Sequence, residues 1–436
     1  MRKIIIESYR VIKMKKLIPI ILVCLFLGSC GSSNNVNLPS KKTYGYRAVC
    51  IGTQRANALK EVENMNAIWV SQFDMQPIFR DGSQQRDEND YRSKVNTMLN
   101  NLKRDGFDTV FLQLRPNGDS MYKSEYYPTS KYIAGVYGGT IGYDAISIYL
   151  EEAKEKNIAV HGWINPYRLC SENELKNHNS GVLYDWYCEG IGKRIEKGAD
   201  GLLYLDPAYE EAHELIANGA REILNNYDFD GIHIDDYFYP TEFEFDDNKE
   251  FLESNFTEKG DFRRENVNKT VVALYNAVHE YNGKIFGIAP AGNIYSLKNG
   301  WYADIYKWLS ESGYVDYIMP QLYFGFENAY CPFENVLNDW VSAIKVSGIK
   351  LYIGLSAAKC ALGSEGFADT FAGESGKYEW RDNKDILARS CNLINSIGAD
   401  GVCIFAYSSF YNPLTGEGNT LTDEERNAFV EANKRL

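Results

Sequence analysis

Short apolar runs alternate with longer amphipathic stretches along the chain from residue 44 onward. Runs rich in Val, Ile, Phe and Tyr are typical of buried strands. Strands are predicted at residues 67–74, 108–116, 159–168, 230–237, 285–293, 316–326, 350–358 and 400–409. Helices are predicted at residues 90–105, 209–226, 264–282, 333–346 and 384–397, with a last helix beginning at Thr422. Glu425 lies three residues after Thr422, which is the spacing of a helix capping box.

Strands that alternate with helices indicate the α/β class, and eight such strands predict a parallel (β/α)8 TIM barrel. A doubly wound open sheet also fits the alternation, but neither GxGxxG nor GxxxxGK occurs to support a nucleotide-binding sheet. Residues 117–142 and 169–206 hold Gly, Asn, Tyr and Pro with little periodicity. We therefore expect long loops after strands 2 and 3, which cover the site.

The N-terminal residues have the pattern of an export signal. Lys15 and Lys16 precede an apolar stretch at residues 17–29 that is too short to span a bilayer. The residues Leu27-Gly28-Ser29-Cys30 resemble the lipobox of bacterial lipoprotein signals, in which the cysteine carries lipid. Cleavage by ordinary signal peptidase is the alternative.

The predicted organisation is a signal peptide at 1–29, a lipidated Cys30 with a flexible tether at 30–43, and a TIM-barrel domain at 44–436. Gly31 and Ser32 follow Cys30, and no aspartate stands there. Under the enteric sorting rule, this favours a lipoprotein of the outer membrane of a Gram-negative bacterium.

Charge and cysteine usage exclude some classes of partner. The whole chain has a formal net charge of −13, which becomes −18 without residues 1–29, since these hold six basic residues and one acidic residue. That balance argues against nucleic acid as a partner. The nine cysteines show no CxxC pair and no zinc spacing. We therefore predict no metal and no cofactor, and the oligomeric state is not determined by these features.

Aromatic residues are numerous, with 32 Tyr, 21 Phe and 7 Trp. Flat apolar faces with a polar edge suit surfaces that stack on sugars, although an aromatic core would give the same count.

The segment DGIHIDDYFYP at residues 230–240 places two carboxylates at the end of the fourth strand. Strand alternation turns Ile232 and Ile234 outward, and His233 and Asp235 into the barrel. Active sites of TIM barrels lie at the carboxyl ends of the strands. Asp235 is therefore predicted as the catalytic carboxylate and Asp236, which begins the loop, as its support. The alternative is that both only order this loop.

Polar and aromatic side chains also gather at the ends of the other predicted strands, where they could hydrogen-bond hydroxyls and stack on sugar rings. The substrate-binding residues predicted from this placement are Arg115, Trp163, Asn165, Arg168, Tyr237, Tyr239, Asn293, Gln321 and Tyr323.

Glycoside hydrolysis needs a second carboxyl group, whose separation from the first sets the stereochemistry. Glu327, just after the sixth strand, is predicted as a catalytic residue for this role, and Asp74 is a second candidate. His161 and His233 are expected as packed residues inside the barrel rather than as ligands.

Several motifs occur in order at the strand ends: AIWVSQF, FDTVFLQLRPNGDSMYKSEYYPTS, HGWINPYR, YLDPAYEEA, DGIHIDDYFYP and DYIMPQLYF. Over roughly residues 44–360 the chain resembles the glycosyl hydrolase-like 10 family. The resemblance implies a TIM barrel related to glycoside hydrolases, frequent export as a lipoprotein, and a peptidoglycan or polysaccharide glycan as substrate. The site residues it implies are Arg115, Asn117, Trp163, Asn165, Arg168, Asp235, Asp236 and Gln321. The run after Gln321 departs from the family's pattern and leaves the proton donor open.

The functional hypothesis is a cell-envelope glycoside hydrolase that acts on a polysaccharide, with peptidoglycan glycan strands as a candidate substrate. A glycan-binding surface lipoprotein without catalysis is the alternative. A metal-dependent deacetylase is disfavoured, because only five histidines are present and His213 and His279 fall on predicted helices.

Overall fold

The computed structural model describes residues 64–236, 238–240 and 245–434. The predicted signal peptide, Cys30 and the tether lie outside the described residues, as does Tyr237.

Eight parallel strands close into a barrel in which each strand pairs with its neighbours in chain order and β8 pairs with β1. This confirms the predicted TIM barrel. The strands are β1 (Met65–Val70), β2 (Thr109–Arg115), β3 (Ala159–Ile164), β4 (Gly231–Ile234), β5 (Ile285–Ile288), β6 (Tyr317–Ile318), β7 (Lys350–Ser356) and β8 (Gly401–Phe405).

Helices connect the strands and pack around the barrel, and those of seven or more residues include every helix predicted from the sequence. They are Gln72–Phe79, Glu88–Arg104, Ala145–Glu155, Glu172–His178, Val182–Glu189, Glu210–Asn226, Lys259–His279, Phe333–Ala343, Ala357–Ser364, Ile386–Ile397 and Asp423–Asn433. Shorter helical segments are Lys131–Ala134, Asn248–Glu253, Ile294–Ser296, the π-helix Leu297–Trp301, Ile305–Ser310, Gly373–Gly376, Glu379–Asp382 and Tyr407–Phe410.

Several strands end earlier than predicted. The first predicted strand ran to Asp74, but β1 ends at Val70 and Gln72–Phe79 is a helix. Ser71 and Asp74 form a capping box at this helix, and the buried Asp74 carboxylate also accepts a hydrogen bond from the backbone of Ser408. Asp74 therefore caps a helix, and its candidacy as a second catalytic carboxyl group is not supported.

The regions after β2 and β3 are long, as predicted, but the second is more ordered than an irregular loop. It contains an antiparallel sheet of Arg168–Ser171, Leu202–Leu205 and Ile195–Lys197, with Leu202–Leu205 in the centre. Two helices complete it, Glu172–His178 and Val182–Glu189. Because its strands are only three or four residues long, the sequence gives too little periodicity to predict them.

The barrel has an outer and an inner core. Ile232 and Ile234 lie in the outer core against the helices, whereas Trp69, Phe111 and Tyr317 lie inside the barrel. This is the alternation expected of strands buried on both faces.

The two barrel histidines belong to this inner layer. The Trp69 indole donates to His233 across 3.2 Å, and the other ring nitrogen of His233 lies 3.1 Å from the Tyr317 hydroxyl. That hydroxyl lies 3.4 Å from His161. Burial lowers the pKa of His161 to about 3 and holds the pKa of His233 well below its usual value, so both rings are neutral.

Four aspartates at the amino ends of even-numbered strands tie each of them to the preceding odd-numbered strand. Each carboxylate accepts a hydrogen bond from a backbone N–H of that neighbour. The pairs are Asp108 with Asn66, Asp230 with Val160, Asp316 with Phe286, and Asp400 with Leu351. These aspartates explain the recurring short turns, such as DFDG and GADG, through which the chain enters those strands.

Candidate active site

Asp235 lies at the carboxyl end of β4 and is held by donors from the end of β3. Its Oδ2 accepts hydrogen bonds from Asn165 Nδ2 at 2.7 Å and from Trp163 Nε1 at 3.2 Å. The Asp235 side chain is 4% exposed. An ionised carboxylate is a pure acceptor, and donated hydrogen bonds favour its charged form.

Gln113, an inward-facing residue of β2, extends this network. Its Nε2 donates to Asn165 Oδ1 at 2.8 Å, and its Oε1 accepts from the backbone N–H of Gln72 at 3.0 Å. The ends of four neighbouring segments are therefore connected by one chain of hydrogen bonds. Gln113 was not among the site residues predicted from the sequence. Its position two residues after the inward-facing Phe111 was the available signal.

Asp236 is also buried, yet its surroundings differ from those of Asp235. Burial, together with the charge of Asp235, raises the pKa of Asp236 well above its usual value. A hydrogen bond from Gln321 and the positive charge of Arg168 lower this pKa in part. Among the described residues, the buried Oδ2 atom of Asp236 has no hydrogen-bond partner. The Asp236 carboxyl group thus holds a proton more readily than an exposed aspartate does.

The two adjacent carboxyl groups therefore have different surroundings. Asp235 accepts two hydrogen bonds at Oδ2, whereas burial and the charge of Asp235 favour the protonated form of Asp236. Neighbouring titratable groups whose environments separate their pKa values are a common basis for an acid and base pair.

Six of the residues predicted from the sequence come together here: Trp163, Asn165, Arg168, Asp235, Asp236 and Gln321. Gln321 also donates to the Ala289 carbonyl and bridges toward Gly354, which fixes it between β5 and β7. Tyr323 is half-buried, with its ring 6.1 Å from that of Phe405 at the end of β8. Asn117 is half-buried in the loop after β2, where its backbone N–H donates to Asp119.

Arg115, predicted to bind substrate, is packed outside the barrel. It is fully buried, its guanidinium lies 4.3 Å from the ring centre of Tyr127, and a side chain at Gly219 of the helix Glu210–Asn226 would collide with it. The register of β2 shifts between Gln113 and Arg115. An inward direction at Gln113 therefore does not extend to Arg115, and the structure does not support the predicted contact with substrate.

Tyr239, expected to line a glycan cleft, is fully buried as well. Its hydroxyl donates to Asp247 at 2.8 Å, and its ring packs against Tyr302 and under the Arg263 guanidinium. In this position Tyr239 is a core residue, because neither face of its ring is open to a sugar.

Asn293 and Glu327, two further predicted site residues, lie in loops held by local hydrogen bonds. The Asn293 side chain caps the short helix Ile294–Ser296 by accepting from the Tyr295 backbone. The backbone of Glu327 donates to the Glu379 carboxylate at 2.8 Å, and its carbonyl accepts from Ser375. The Asn293 side chain thus serves as a helix cap, whereas only backbone groups of Glu327 are used in these bonds and its predicted catalytic role stays a prediction.

A cleft of about 510 Å³ lies at the opposite, amino-terminal end of the barrel, lined by Ala159, Val160 and Asp230 among others. It contains none of the residues around Asp235. Because TIM-barrel chemistry is found at the carboxyl end, we place the candidate site at Asp235 and not in this cleft.

Within the part of the chain that the structure describes, no group of three or more His, Cys, Asp or Glu side chains could hold a metal ion. No helix among residues 64–236, 238–240 and 245–434 is long and apolar enough to cross a membrane.

Comparison with known proteins gives a family match and two informative relatives. The sequence profile of a family described as glycosyl hydrolase-like 10 matches residues 64–367. The glycosyl hydrolase YngK of Bacillus subtilis strain 168 is 31% identical over 289 residues, covering 60% of this chain and 55% of YngK. The glycosyl hydrolase DigH of Escherichia coli K12 is 29% identical over 285 residues, covering 60% of this chain and 64% of DigH. The chain thus spans less than two thirds of either relative.

Solved structures share the fold at low sequence identity. An endo-β-1,4-mannanase from Thermotoga petrophila superposes with a TM-score of 0.52 at 12% identity, covering 86% of this chain and 77% of the mannanase. The catalytic domain of a β-amylase from Paenibacillus polymyxa gives 0.51 at 10% identity, covering 85% and 99%. At such identities the likeness concerns the barrel fold alone.

Proposed function

Because this chain belongs to the glycosyl hydrolase-like 10 family, we propose that it hydrolyses glycosidic bonds of a polysaccharide with Asp235 as the catalytic carboxylate. The observation that carries the proposal is the position of Asp235 at the end of β4, where Asn165 and Trp163 donate to it. An ionised carboxylate stabilises the positive charge that develops on the sugar ring in an oxocarbenium-like transition state, or attacks it.

We assign the proton donor to Asp236 in place of Glu327. Burial and the charge of Asp235 raise the pKa of Asp236, which favours the protonated form that a proton donor needs, and Gln321 and Arg168 lie beside it at the same end of the barrel. A general acid needs a pKa close to the working pH in order to give up its proton to the leaving group.

The proposed substrate is a glycan of the cell envelope, with peptidoglycan glycan strands as the first candidate. The family membership, the strand-end motifs and the predicted export signal support this choice. The acidic chain, at −18 without residues 1–29, suits a neutral or cationic polymer better than nucleic acid.

We further propose that the protein is exported and held to the outer membrane by lipid on Cys30. The support is the sequence Leu27-Gly28-Ser29-Cys30 after an apolar stretch, followed by a polar segment. Cys30→Ala should release the protein from the membrane fraction. Unchanged processing and unchanged membrane association of that variant would contradict the proposal.

The test of activity is the release of reducing ends by the purified protein from peptidoglycan glycan strands and from a panel of plant and host polysaccharides. Release that disappears in a folded Asp235→Asn variant supports hydrolysis. Binding to a glycan without release by the native protein would instead favour a glycan-binding lipoprotein.

A further inference from the structure

We infer that Gln113 is a positioning residue: it fixes the direction of the Asn165 amide and thereby keeps Asp235 an ionised hydrogen-bond acceptor. The functional meaning of this inference rests on the proposed catalytic role of Asp235. The hydrogen-bond geometry on which it is built does not.

The direction of the network is set by a helix N-terminus. Gln72 is the first residue of the helix Gln72–Phe79, so its backbone N–H has no acceptor within the helix. An N–H group can only donate, and its partner at 3.0 Å is the Gln113 side chain. Gln113 must therefore present its oxygen to Gln72, and its NH₂ group faces the other way.

That direction is passed to Asn165. The Gln113 NH₂ group lies 2.8 Å from the Asn165 amide, which has to present its oxygen in order to accept. The NH₂ group of Asn165 is then left facing Asp235 at 2.7 Å. Each step follows from which groups can donate. The backbone N–H of Gln72 therefore determines that the NH₂ group of Asn165, and not its oxygen, faces Asp235.

Both hydrogen bonds to Oδ2 of Asp235 are donated to it, since the indole nitrogen of Trp163 also has no acceptor capacity. Donated hydrogen bonds of this kind stabilise the ionised carboxylate more than the protonated acid. Gln113, Asn165 and Asp235 are all at least 95% buried, which leaves little room for water to replace a missing partner.

Without Gln113, the Asn165 amide is free to turn. Its oxygen could then face Asp235 and accept a proton from it, which stabilises the neutral acid. The network therefore acts by disfavouring the protonated form, and its loss should make Asp235 easier to protonate.

The experiment is a titration of Asp235 in the full chain by NMR, with ¹³C at the aspartate carboxyl groups. The Asp235 signal is assigned by its absence from Asp235→Asn. In Gln113→Met, which removes both amide groups at similar size, the midpoint of the Asp235 titration should rise by about one pH unit. The matched control is Gln76→Met, an exposed glutamine on the same helix as Gln72, and its midpoint should equal that of the native protein.

An unchanged Asp235 midpoint in Gln113→Met, with only a lower melting temperature, would overturn the inference and leave Gln113 as a packing residue. If Gln113→Met does not fold, Gln113→Leu removes the same groups with a different shape and is read in the same way. The titration needs no substrate, so it decides the role of Gln113 even if no glycan is cleaved. Where a glycan is cleaved, the acidic limb of kcat/KM against pH should move by the same amount.

Discussion

Asn165 donates to Asp235 across 2.7 Å and so joins the end of β3 to the end of β4. Both residues immediately follow barrel strands, whose relative position is fixed by the β3–β4 ladder. Their geometry is therefore a property of the barrel and does not depend on the conformation of the long loops. Substitutions here should change chemistry more than they change stability.

Asp235→Asn should lower turnover by about 10²–10⁴-fold, because it removes the charge that stabilises the transition state. Folding should be little affected, since the new amide oxygen can still accept from Asn165. Reducing-end release and the free energy of unfolding in urea measure the two effects. Near-native turnover in a folded variant would move the catalytic role to another carboxyl group.

Trp163→Phe keeps the ring but removes the N–H that reaches Asp235 at 3.2 Å. A hydrogen bond to a charged group contributes about 1.5–3 kcal/mol, so kcat/KM should fall by roughly 10–100-fold. Trp186→Phe, at a tryptophan whose ring lies beside Arg194, is the control and should leave kcat/KM unchanged. A fall in glycan affinity with unchanged kcat would indicate that Trp163 serves mainly by stacking.

Asp236→Asn should alter the pH dependence of stability. The folded-state pKa of Asp236 is raised above the usual 3.8. Below about pH 4 this carboxyl group is neutral in both the folded and the unfolded state, so the folded protein bears no cost for a buried charge. As the pH rises through the folded-state pKa, the folded protein becomes less stable, and Asp236→Asn avoids this loss. Melting temperatures between pH 4 and 8 should increasingly favour Asp236→Asn over the native protein. The exposed Asp185→Asn serves as control, and a constant difference across this range would contradict the burial argument.

Tyr239→Phe should lower stability without changing glycan affinity, because the Tyr239 hydroxyl donates to the buried Asp247. The expected loss in the free energy of unfolding is about 1–3 kcal/mol, as for a hydrogen bond to a charged group. Arg263 and Lys259 still pair with Asp247 and limit the loss. Weaker glycan binding at unchanged stability would restore Tyr239 to the cleft.

Asp400→Ala should destabilise the barrel by about 1–3 kcal/mol, since it leaves the buried N–H of Leu351 without its acceptor. Asp400→Asn keeps an oxygen at the same place and should be milder. Urea unfolding measures both variants. Turnover per folded molecule should stay native in each, and a loss of turnover at full stability would show that the two ends of the barrel are coupled.

The barrel could be predicted from the sequence because its strands are apolar on both faces and are separated by helices with a clear apolar stripe. The position of Asp235 could be predicted because β4 is regular. Ile232 and Ile234 face outward in the structure, as the alternation of the strand predicts, and Asp235 follows directly after the strand.

Alternation failed where the backbone changes direction. The register shift before Arg115 turns that side chain outward, and the loop after Asp236 buries Tyr239. Short-range caps removed two other candidates, because Asn293 and Asp74 use their side-chain oxygens at helix N-termini. A sequence shows that such residues are polar but not which backbone groups will take up their hydrogen-bonding capacity.

Glu425 illustrates the same limit at the last helix. Thr422 caps this helix as predicted, by accepting from the Glu425 backbone. The Glu425 side chain does not complete the capping box, because its carboxylate accepts instead from the Leu387 backbone of a neighbouring helix. Tertiary contacts here outweighed a local motif.

The aspartates that precede β2, β4, β6 and β8 lie at the end of the barrel opposite to Asp235. They connect the strands in four adjacent pairs through hydrogen bonds donated by backbone N–H groups of the partner strand. These hydrogen bonds do not involve the loops at the other end of the barrel. In evolutionary terms, the loops after β2 and β3 could change to suit a new sugar while the hydrogen bonds of these four aspartates continued to stabilise the barrel.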